Sequence, residues 1–367
     1  MIDLEETFIY DSVVHAYNLA PSNYRNERYA EGIAEQLYGS VAVASPEGYG
    51  VTYEGYVRDW GIEETARMIF EESPTDMATF QATPINAFHD GLTSVEKTKR
   101  IKQQWPNRFK TFAAVDPLEG EDAIVDLQRQ ADELEDCVGV KFYPSSWGTE
   151  DHKSWRMDDP EVAYPVFEEA KSLGLDVIAV HKAIPMGPVP RGPYGVEDVD
   201  QAAADFPDMK FEIVHGGVSF ADDTAWQLLR FPNVYINWEA FPIMLLGNER
   251  SFAEMLAEMI SIGGNDLLDR MFWSSSAMGA HPLPQLEAFA TFEFPQDILE
   301  EKGLFAPIQQ ITDEDKRGIL GENYADFVGL DIKKARNRIE GDEFDQRVEQ
   351  NGYADPFQTT EAADQVV

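Results

Sequence analysis

Short apolar runs rich in β-branched residues alternate with amphipathic stretches along most of the chain, and this alternation constrains the fold more than any other feature. We expect β-strands at residues 8–15, 79–85, 109–115, 138–143, 176–181, 210–215, 233–239 and 270–275. We expect amphipathic helices between them at residues 63–72, 95–104, 121–135, 160–173 and 252–262. Nearly continuous apolar strands that alternate with helices predict a buried parallel sheet.

Eight such units predict the α/β class and a closed (β/α)₈ TIM barrel rather than an open doubly wound sheet. No glycine-rich phosphate loop follows the first strand, which removes the main reason to expect a nucleotide-binding fold. The 367 residues are enough for two small domains, but a single barrel accounts for the pattern equally well. We therefore predict a barrel over residues 1–330 and a charged C-terminal helix and tail over residues 331–367.

Three segments lie outside the alternation. Residues 17–60 are predicted to form a long loop after strand 1, and the Pro- and Gly-rich residues 183–197 a long loop after strand 5. Both leave the ends of strands where a barrel keeps its active site, so they either fold over the pocket or serve as solvent loops or subunit contacts. Residues 331–367 are expected to form a helix and then a loose tail, or an arm that reaches a neighbouring subunit.

The composition excludes several classes of protein. Asp and Glu outnumber Lys and Arg by 67 to 29, a net charge of −38, and this field repels nucleic acids and anionic membranes. It indicates either a uniformly acidic surface suited to high salt or acidic patches that dock a basic partner. The single cysteine, Cys137, excludes an internal disulfide and a thiolate metal cluster. No apolar run reaches about 18 residues, and the acidic N-terminus does not resemble a secretory signal, so we expect a soluble, cytoplasmic protein.

Three of the six histidines close predicted strands: His15, His181 and His215 end strands 1, 5 and 6. In a closed barrel these side chains project into the same mouth. Converging neutral imidazoles hold a metal, or one of them acts as a general acid or base near neutral pH. His281 follows strand 8 and is expected at the rim of the same mouth.

Other polar residues end neighbouring strands. Lys141 and Tyr143 share a face at the end of strand 4, since side chains alternate along a strand. Lys141 is expected either to bind a substrate carboxylate or to neutralise nearby acids. Glu239 closes strand 7, where it either completes a metal site or forms a salt bridge at the rim.

Four motifs give the chain a family resemblance. They are Asp11-x-x-x-His15, the VHK and VHGG pair at His181 and His215, the block FWSSSAMGAHP at 272–282, and ILGENYADFVGL at 319–330. In this order they resemble the amidohydrolase-related (amidohydrolase 2) family, in the branch with aromatic-acid decarboxylases and lactone hydrolases. The resemblance implies the same TIM barrel.

Two positions depart from the family pattern. Val13 stands where the family carries a His or Glu on strand 1, and Ser276 stands where it carries the strand-8 Asp. Of the metal shell that the resemblance implies, His15 and His181 remain, one ligand short of the three protein ligands usual in a catalytic site. Zn, or Mn, is therefore possible only at a degenerate site, with Glu239 as the nearest carboxylate to complete it.

The resemblance implies a hydrolase or a non-oxidative decarboxylase that acts on a small carboxylate or carbonyl compound. It implies that His215 is the general acid or base, that His181 is a ligand or electrostatic partner, and that Lys141 grips a carboxylate. Tyr143, Glu239, Ser276 and His281 are expected to contact the substrate. The alternatives are a catalytically degenerate barrel that serves as a binding or assembly partner, and a pure ligand-binding protein. Besides a small-molecule substrate we expect a homo-oligomer, a protein partner under the alternative, and neither nucleic acid nor membrane as a partner.

Overall fold

The barrel wall consists of eight parallel strands in the computed structural model, which describes residues 2–148 and 152–367. The strands are β1 Tyr10–Val14, β2 Met77–Phe80, β3 Phe109–Ala114, β4 Cys137–Phe142, β5 Val177–His181, β6 Lys210–Val214, β7 Val234–Asn237 and β8 Met271–Phe272. Each pairs with the next in chain order. A separate two-stranded hairpin joins Ser145–Ser146 to Lys153–Ser154. The predicted TIM barrel is confirmed.

Polar contacts bring the last strand to the first. The backbone N–H and the Oγ of Ser12 both donate to the carbonyl of Trp273, over 3.0 and 2.7 Å. The carboxylate of Asp11 accepts the backbone N–H of Ser275 over 3.1 Å and also its hydroxyl. Asp11 therefore fastens β1 to the segment that follows β8, and the barrel is nearly closed.

The helices form the outer layer and the decorations. They are α1 Glu27–Ala44, α2 Tyr53–Tyr56, α3 Ile62–Phe70, α4 Val95–Gln104, α5 Glu121–Glu133, α6 Tyr164–Ser172, α7 Val199–Asp205, α8 Ala221–Arg230, α9 Phe241–Gly247, α10 Glu249–Gly263, α11 Pro282–Thr291, α12 Gln296–Glu301, α13 Asp313–Arg317, α14 Asn323–Phe327, α15 Ile332–Ile339 and α16 Glu343–Asn351. A π-helical turn, Gly318–Glu322, joins α13 to α14. None of the helices in the described part of the chain has the length and apolar character that a membrane span requires.

Strand 2 lies earlier than the sequence predicts. It covers Met77–Phe80 rather than residues 79–85. After Phe80 the backbone N–H of Gln81 still bonds to the carbonyl of Val14, but Thr83 then pairs with Thr93. The apolar residues that follow are buried at the barrel mouth instead of in the sheet, which is why their hydrophobicity is misleading.

The prediction of one long loop over residues 17–60 is wrong. The segment contains α1, which begins after Asn26, whose side chain accepts the backbone N–H of Tyr29. One face of α1 is apolar and buries Ala30, Ile33 and Ala34. The helix thus stands over the mouth of the barrel as an ordered cover.

The C-terminal segment packs on its own barrel instead of ending as a loose tail. After α15 and α16 the chain buries Phe357 and Ala362 in the core that contains α1 and α3. The final residue exchanges backbone hydrogen bonds with the region before α2, from Val367 N–H to Gly50 O and from Gly48 N–H to Val367 O. The C-terminus therefore clamps the cover of the mouth.

Candidate active site

A cavity of about 140 Å³ lies at the carboxyl ends of the strands. The polar part of its lining comes from His181, His215, Glu239 and Ser276, from three tyrosines, and from Gln36 and Ser40 of α1. The face of α1 contributes apolar side chains, and further aliphatic residues line the wall; among these are Ile33, Leu37, Val41, Ile85, Leu92, Ile184 and Ile243. The site is a compact, mostly apolar chamber with a few converging polar groups, as small-molecule sites commonly are.

Four residues after β5–β8 adopt left-handed backbone conformations. The φ angles are 60° at Ala183, 66° at His215, 67° at Ala240 and 59° at Ser276. Such conformations are uncommon for residues other than glycine and cluster at functional sites. They turn the chain sharply where the side chains must enter the cavity.

His181 and His215 form a close imidazole pair. Nδ1 of His181 lies 3.0 Å from Nε2 of His215. The other nitrogens face backbone carbonyls: Nε2 of His181 faces Ile184 O and Nδ1 of His215 faces Glu239 O, each at 2.9 Å. A carbonyl oxygen only accepts, so these outer nitrogens carry protons. Nδ1 of His181 and Nε2 of His215 would then point lone pairs at each other. A hydrogen bond between the two rings requires one further proton on one of these nitrogens.

The pair holds that further proton weakly. Burial lowers the pKa of His181 well below its ordinary value, and the neighbouring charges of His215 and Lys141 lower it further. Burial also lowers the pKa of His215, although the charge of Glu239 opposes the shift. The protonated pair is therefore populated at a pH below the ordinary histidine range, and only in that protonated form can it act as a general acid.

His15 and Glu239 form a second polar unit next to this pair. Nδ1 of His15 lies 2.8 Å from Gln81 O, and its Nε2 lies 2.9 Å from Oε1 of Glu239. Both nitrogens face acceptors, so both carry protons in this arrangement. Burial alone would raise the pKa of Glu239, but the charges of His215 and His15 outweigh burial and hold it below its ordinary value. The carboxylate therefore stays ionised beside the imidazoles.

A polar layer supports these groups from inside the barrel. The side-chain oxygen of Asn237 accepts the backbone N–H groups of His215 over 3.4 Å and Glu239 over 3.2 Å. Its amide group donates to Oε1 of Glu212 over 2.6 Å. The Lys141 amine is buried with no hydrogen-bond partner among the described residues. Burial lowers its pKa, and the charges of Glu239 and Glu212 oppose that shift.

The predicted residues fall into three groups: those that line the cavity, those that lie next to it, and His281, which lies apart. His181, His215, Tyr143, Glu239 and Ser276 line the cavity. His15 is hydrogen-bonded to Glu239, and the Lys141 ammonium lies 5.5 Å from the Tyr143 ring centroid. The location of Lys141 among carboxylates favours the neutralising role over direct contact with substrate.

His281 is placed apart from these residues. Its Nε2 lies 3.0 Å from Oε2 of Glu72, and its ring packs against Phe357 of the C-terminal segment. Its Nδ1 accepts the backbone N–H of Leu283 and so caps α11. The expected substrate contact is not supported by this position, because eight residues separate His281 from the end of β8 and carry it beyond the mouth.

The sequence analysis misses several residues of the site. Tyr17 and Tyr56 line the cavity, and Asn237 orients two site residues as described above. Tyr17 follows His15 by two residues and Asn237 precedes Glu239 by two, so the alternation of side chains offered a signal for both. No such signal marked Tyr56, which reaches the cavity from α2.

The chain belongs to the amidohydrolase family, since the family model described as amidohydrolase matches residues 77–330, more than half of the sequence. Membership confirms the expectation of an enzyme of this superfamily, in the class of hydrolases and carboxy-lyases. None of the curated proteins matches the sequence significantly.

Solved structures share the barrel at low sequence identity. An uncharacterised TIM-barrel protein from Bordetella bronchiseptica is 17% identical with a TM-score of 0.60, over 88% of this chain and 98% of that chain. The 2,6-dihydroxybenzoate decarboxylase from Rhizobium is 17% identical with a TM-score of 0.50, over 88% and 99%. The 5-carboxyvanillate decarboxylase from Novosphingobium aromaticivorans, complexed with manganese, is 13% identical with a TM-score of 0.52, over 89% and 97%. At these identities the likeness concerns the fold.

The metal site suggested by His15 and His181 is not formed by the side chains as arranged. Both nitrogens of each ring face partners within the protein. Val13 is apolar, and the Ser276 hydroxyl accepts the backbone N–H of Ala240 over 2.9 Å. Within residues 2–148 and 152–367, no three His, Cys, Asp or Glu side chains are grouped so that they could hold a metal ion. The donor set does not fit a catalytic Zn or Mn.

Proposed function

We propose that the protein is a carboxy-lyase that removes CO₂ non-oxidatively from a compact carboxylic acid. The observation that carries the proposal is the close contact of His181 and His215, 3.0 Å apart, at the polar end of an otherwise apolar cavity. Non-oxidative decarboxylation needs a proton donor at the carbon that loses CO₂, and this pair is suited to supply one.

The proposed reaction balances with one proton. The bond between the carboxylate and the neighbouring carbon breaks, its electron pair stays on that carbon, and CO₂ leaves. The carbon takes the proton held between His181 and His215, and the pair regains a proton from solvent. The substrate must therefore carry a group that stabilises negative charge on the reacting carbon.

The apolar wall destabilises the bound carboxylate relative to the state in which neutral CO₂ forms. A carboxylate loses hydration in a cavity lined by Ile33, Leu37 and Ile85, whereas neutral CO₂ has little hydration to lose. The protons on His15 and on the protonated imidazole pair compensate the charge of Glu239. An anionic substrate thus meets a site that is not dominated by the net acidic charge of the protein.

The size of the cavity limits the substrate. About 140 Å³ is close to the roughly 150 Å³ of a cavity known to hold a benzene molecule. We expect acids whose body is one small ring or a short branched chain. We do not favour the alternative of a degenerate assembly partner, because the acid–base groups line a cavity of substrate size.

The test is CO₂ release from a panel of ring-sized and short branched acids, with esters and lactones of similar size assayed for hydrolysis. We expect at least one acid to be decarboxylated, with kcat lowered by about 10²- to 10⁴-fold in His215→Gln. His89→Gln is the matched control, since His89 is exposed on a loop, and it should retain wild-type activity. Hydrolysis without CO₂ release, or full activity in His215→Gln, would contradict the proposal.

A further inference from the structure

Three tyrosines, Tyr17, Tyr56 and Tyr143, line the same cavity as the imidazole pair. The hydroxyl of Tyr56 is buried and has no hydrogen-bond partner among the residues that the structure describes. Burying a hydroxyl without a partner is unfavourable. A hydroxyl in this state beside a cavity is a donor available to a ligand.

Ring contacts fix the three phenols. The Tyr17 ring stacks on His15 with centroids 5.1 Å apart, and the Tyr143 ring stacks on His181 with centroids 4.7 Å apart. The Tyr56 carbonyl accepts the indole N–H of Trp60 over 2.9 Å, and its ring is only 2% exposed. The phenols are therefore held in place before any ligand arrives.

All three phenols are uncharged donors near neutral pH. Burial raises the pKa of each one above its ordinary value. The negative charge of Glu239 raises the pKa of Tyr17 further. Neutral phenols beside an ionised Glu239 favour a ligand atom that accepts hydrogen bonds.

We propose that Tyr17, Tyr56 and Tyr143 form a donor subsite that binds a second oxygen of the substrate, separate from its carboxylate. The substrate class is then a compact acid with a ketone or hydroxyl oxygen elsewhere on its body. This inference rests on the proposed carboxy-lyase function for the carboxylate itself. Tyr17 and Tyr56 lie in residues 17–60, the cover segment, which precedes the family-matched residues 77–330. The selectivity therefore arises largely from this chain's own cover segment.

The test is calorimetric binding of cyclohexanecarboxylate and of its oxo isomers, which add one carbonyl acceptor to the same ring. We expect the wild-type protein to bind at least one oxo isomer about 10-fold tighter than the parent acid. Tyr56→Phe should abolish this preference and leave the affinity for the parent acid unchanged. Because the change removes an unpartnered buried hydroxyl, the variant should be at least as stable as the wild type.

Tyr38→Phe is the matched control, since its ring lies 5.7 Å from the Tyr56 ring but outside the cavity lining. It should keep the preference, and Tyr17→Phe in the otherwise wild-type protein should weaken it. A preference that survives in Tyr56→Phe, or that Tyr38→Phe reduces equally, would overturn the subsite. Equal binding of all acids by the wild type would overturn the subsite alone, whereas binding of none would overturn the proposed function and the subsite with it.

Discussion

Two buried histidine–carboxylate pairs occupy different parts of the molecule. His15 contacts Glu239 at 2.9 Å beside the cavity, and His281 contacts Glu72 at 3.0 Å under the C-terminal segment. The two pairs share residue types, distance and burial. They differ in what surrounds them.

The pair of His281 and Glu72 is complete without a ligand. Nδ1 of His281 accepts a backbone N–H, so a neutral ring with its proton on Nε2 satisfies both sides. Glu72 also accepts the backbone N–H groups of Phe357 over 2.7 Å and Thr359 over 2.8 Å. Glu72 serves the docking of the C-terminal segment, and Nδ1 of His281 caps α11.

The hydrogen bonds of His15, Glu239 and the adjacent imidazole pair are satisfied only when the rings carry additional protons. Both nitrogens of His15 face acceptors, and the adjacent His181 and His215 would oppose two lone pairs as neutral rings. Protons that the structure requires but does not hold tightly are available for chemistry. The candidate catalytic pair therefore differs from the structural pair in its access to the cavity and in the number of protons that its hydrogen bonds require. It does not differ in residue type.

The largest expected effect separates the two pairs by activity. With the decarboxylated acid as substrate, His215→Gln should lower kcat by about 10²- to 10⁴-fold, while His281→Gln should leave kcat per folded molecule near the wild-type value. Steady-state kinetics below the unfolding temperature measure both. A comparable loss of kcat in the two variants would erase the distinction.

The second prediction separates them by stability. Glu72→Ala leaves His281 and the backbone N–H groups of the C-terminal segment unpaired, so the free energy of unfolding should fall by about 3–5 kcal/mol. Residues 352–367 should also become sensitive to protease. Urea denaturation measures the first effect. Glu254→Ala, at an exposed pair with Arg250, is the control and should cost less than about 1 kcal/mol; an equal loss there would sink the argument.

The third prediction concerns the carboxyl group beneath the catalytic pair. Burial raises the pKa of Glu212 to about 7, so the folded protein binds a proton there that the unfolded chain releases at lower pH. The contribution is present in full below the ordinary carboxyl pKa and is lost as the pH rises through about 7. Glu212→Gln should therefore lose less stability than the wild type between about pH 6 and pH 8. Urea denaturation at both pH values checks this, and identical losses would be inconsistent with a buried, protonated Glu212.

The smallest expected effect is the response of Tm to salt, which should not depend on the pair of His281 and Glu72. With a net charge of −38, screening of surface repulsion by added KCl should raise Tm by roughly 1–2 °C for each kcal/mol gained. Buried pairs are screened much less, so the rise should be the same in wild type and in Glu72→Ala. A larger rise in the variant would show that salt acts on the sealed pair itself.

The periodic features of the fold could be predicted from the sequence. Buried strands and amphipathic helices leave a regular pattern, and α4 has the predicted bounds, residues 95–104. The prediction fails where apolar residues serve another surface. Ala82 and Ile85 follow β2 but are buried at the mouth rather than in the sheet, and one face of α1 is apolar because it covers the cavity.

The site could be predicted as far as strand ends determine it. His181, His215 and Glu239 close neighbouring strands of the barrel and therefore meet. His281 lies nine residues beyond the end of β8, and its partner Glu72 follows α3, so only tertiary packing reveals their pairing. Tyr56 was missed for the same reason, because its position depends on how the C-terminus clamps the cover segment.

The central claim is that His181 and His215 share one proton that can be transferred to a substrate bound in the cavity. The most direct measurement is ¹⁵N NMR of the protein with labelled imidazoles, assigned with His181→Gln and His215→Gln. The account predicts a proton on Nε2 of His181 and on Nδ1 of His215, and a single further proton that both rings gain together, at a pH below the ordinary histidine range, on acidification. Two rings that titrate independently, or the opposite pair of tautomers, would contradict it.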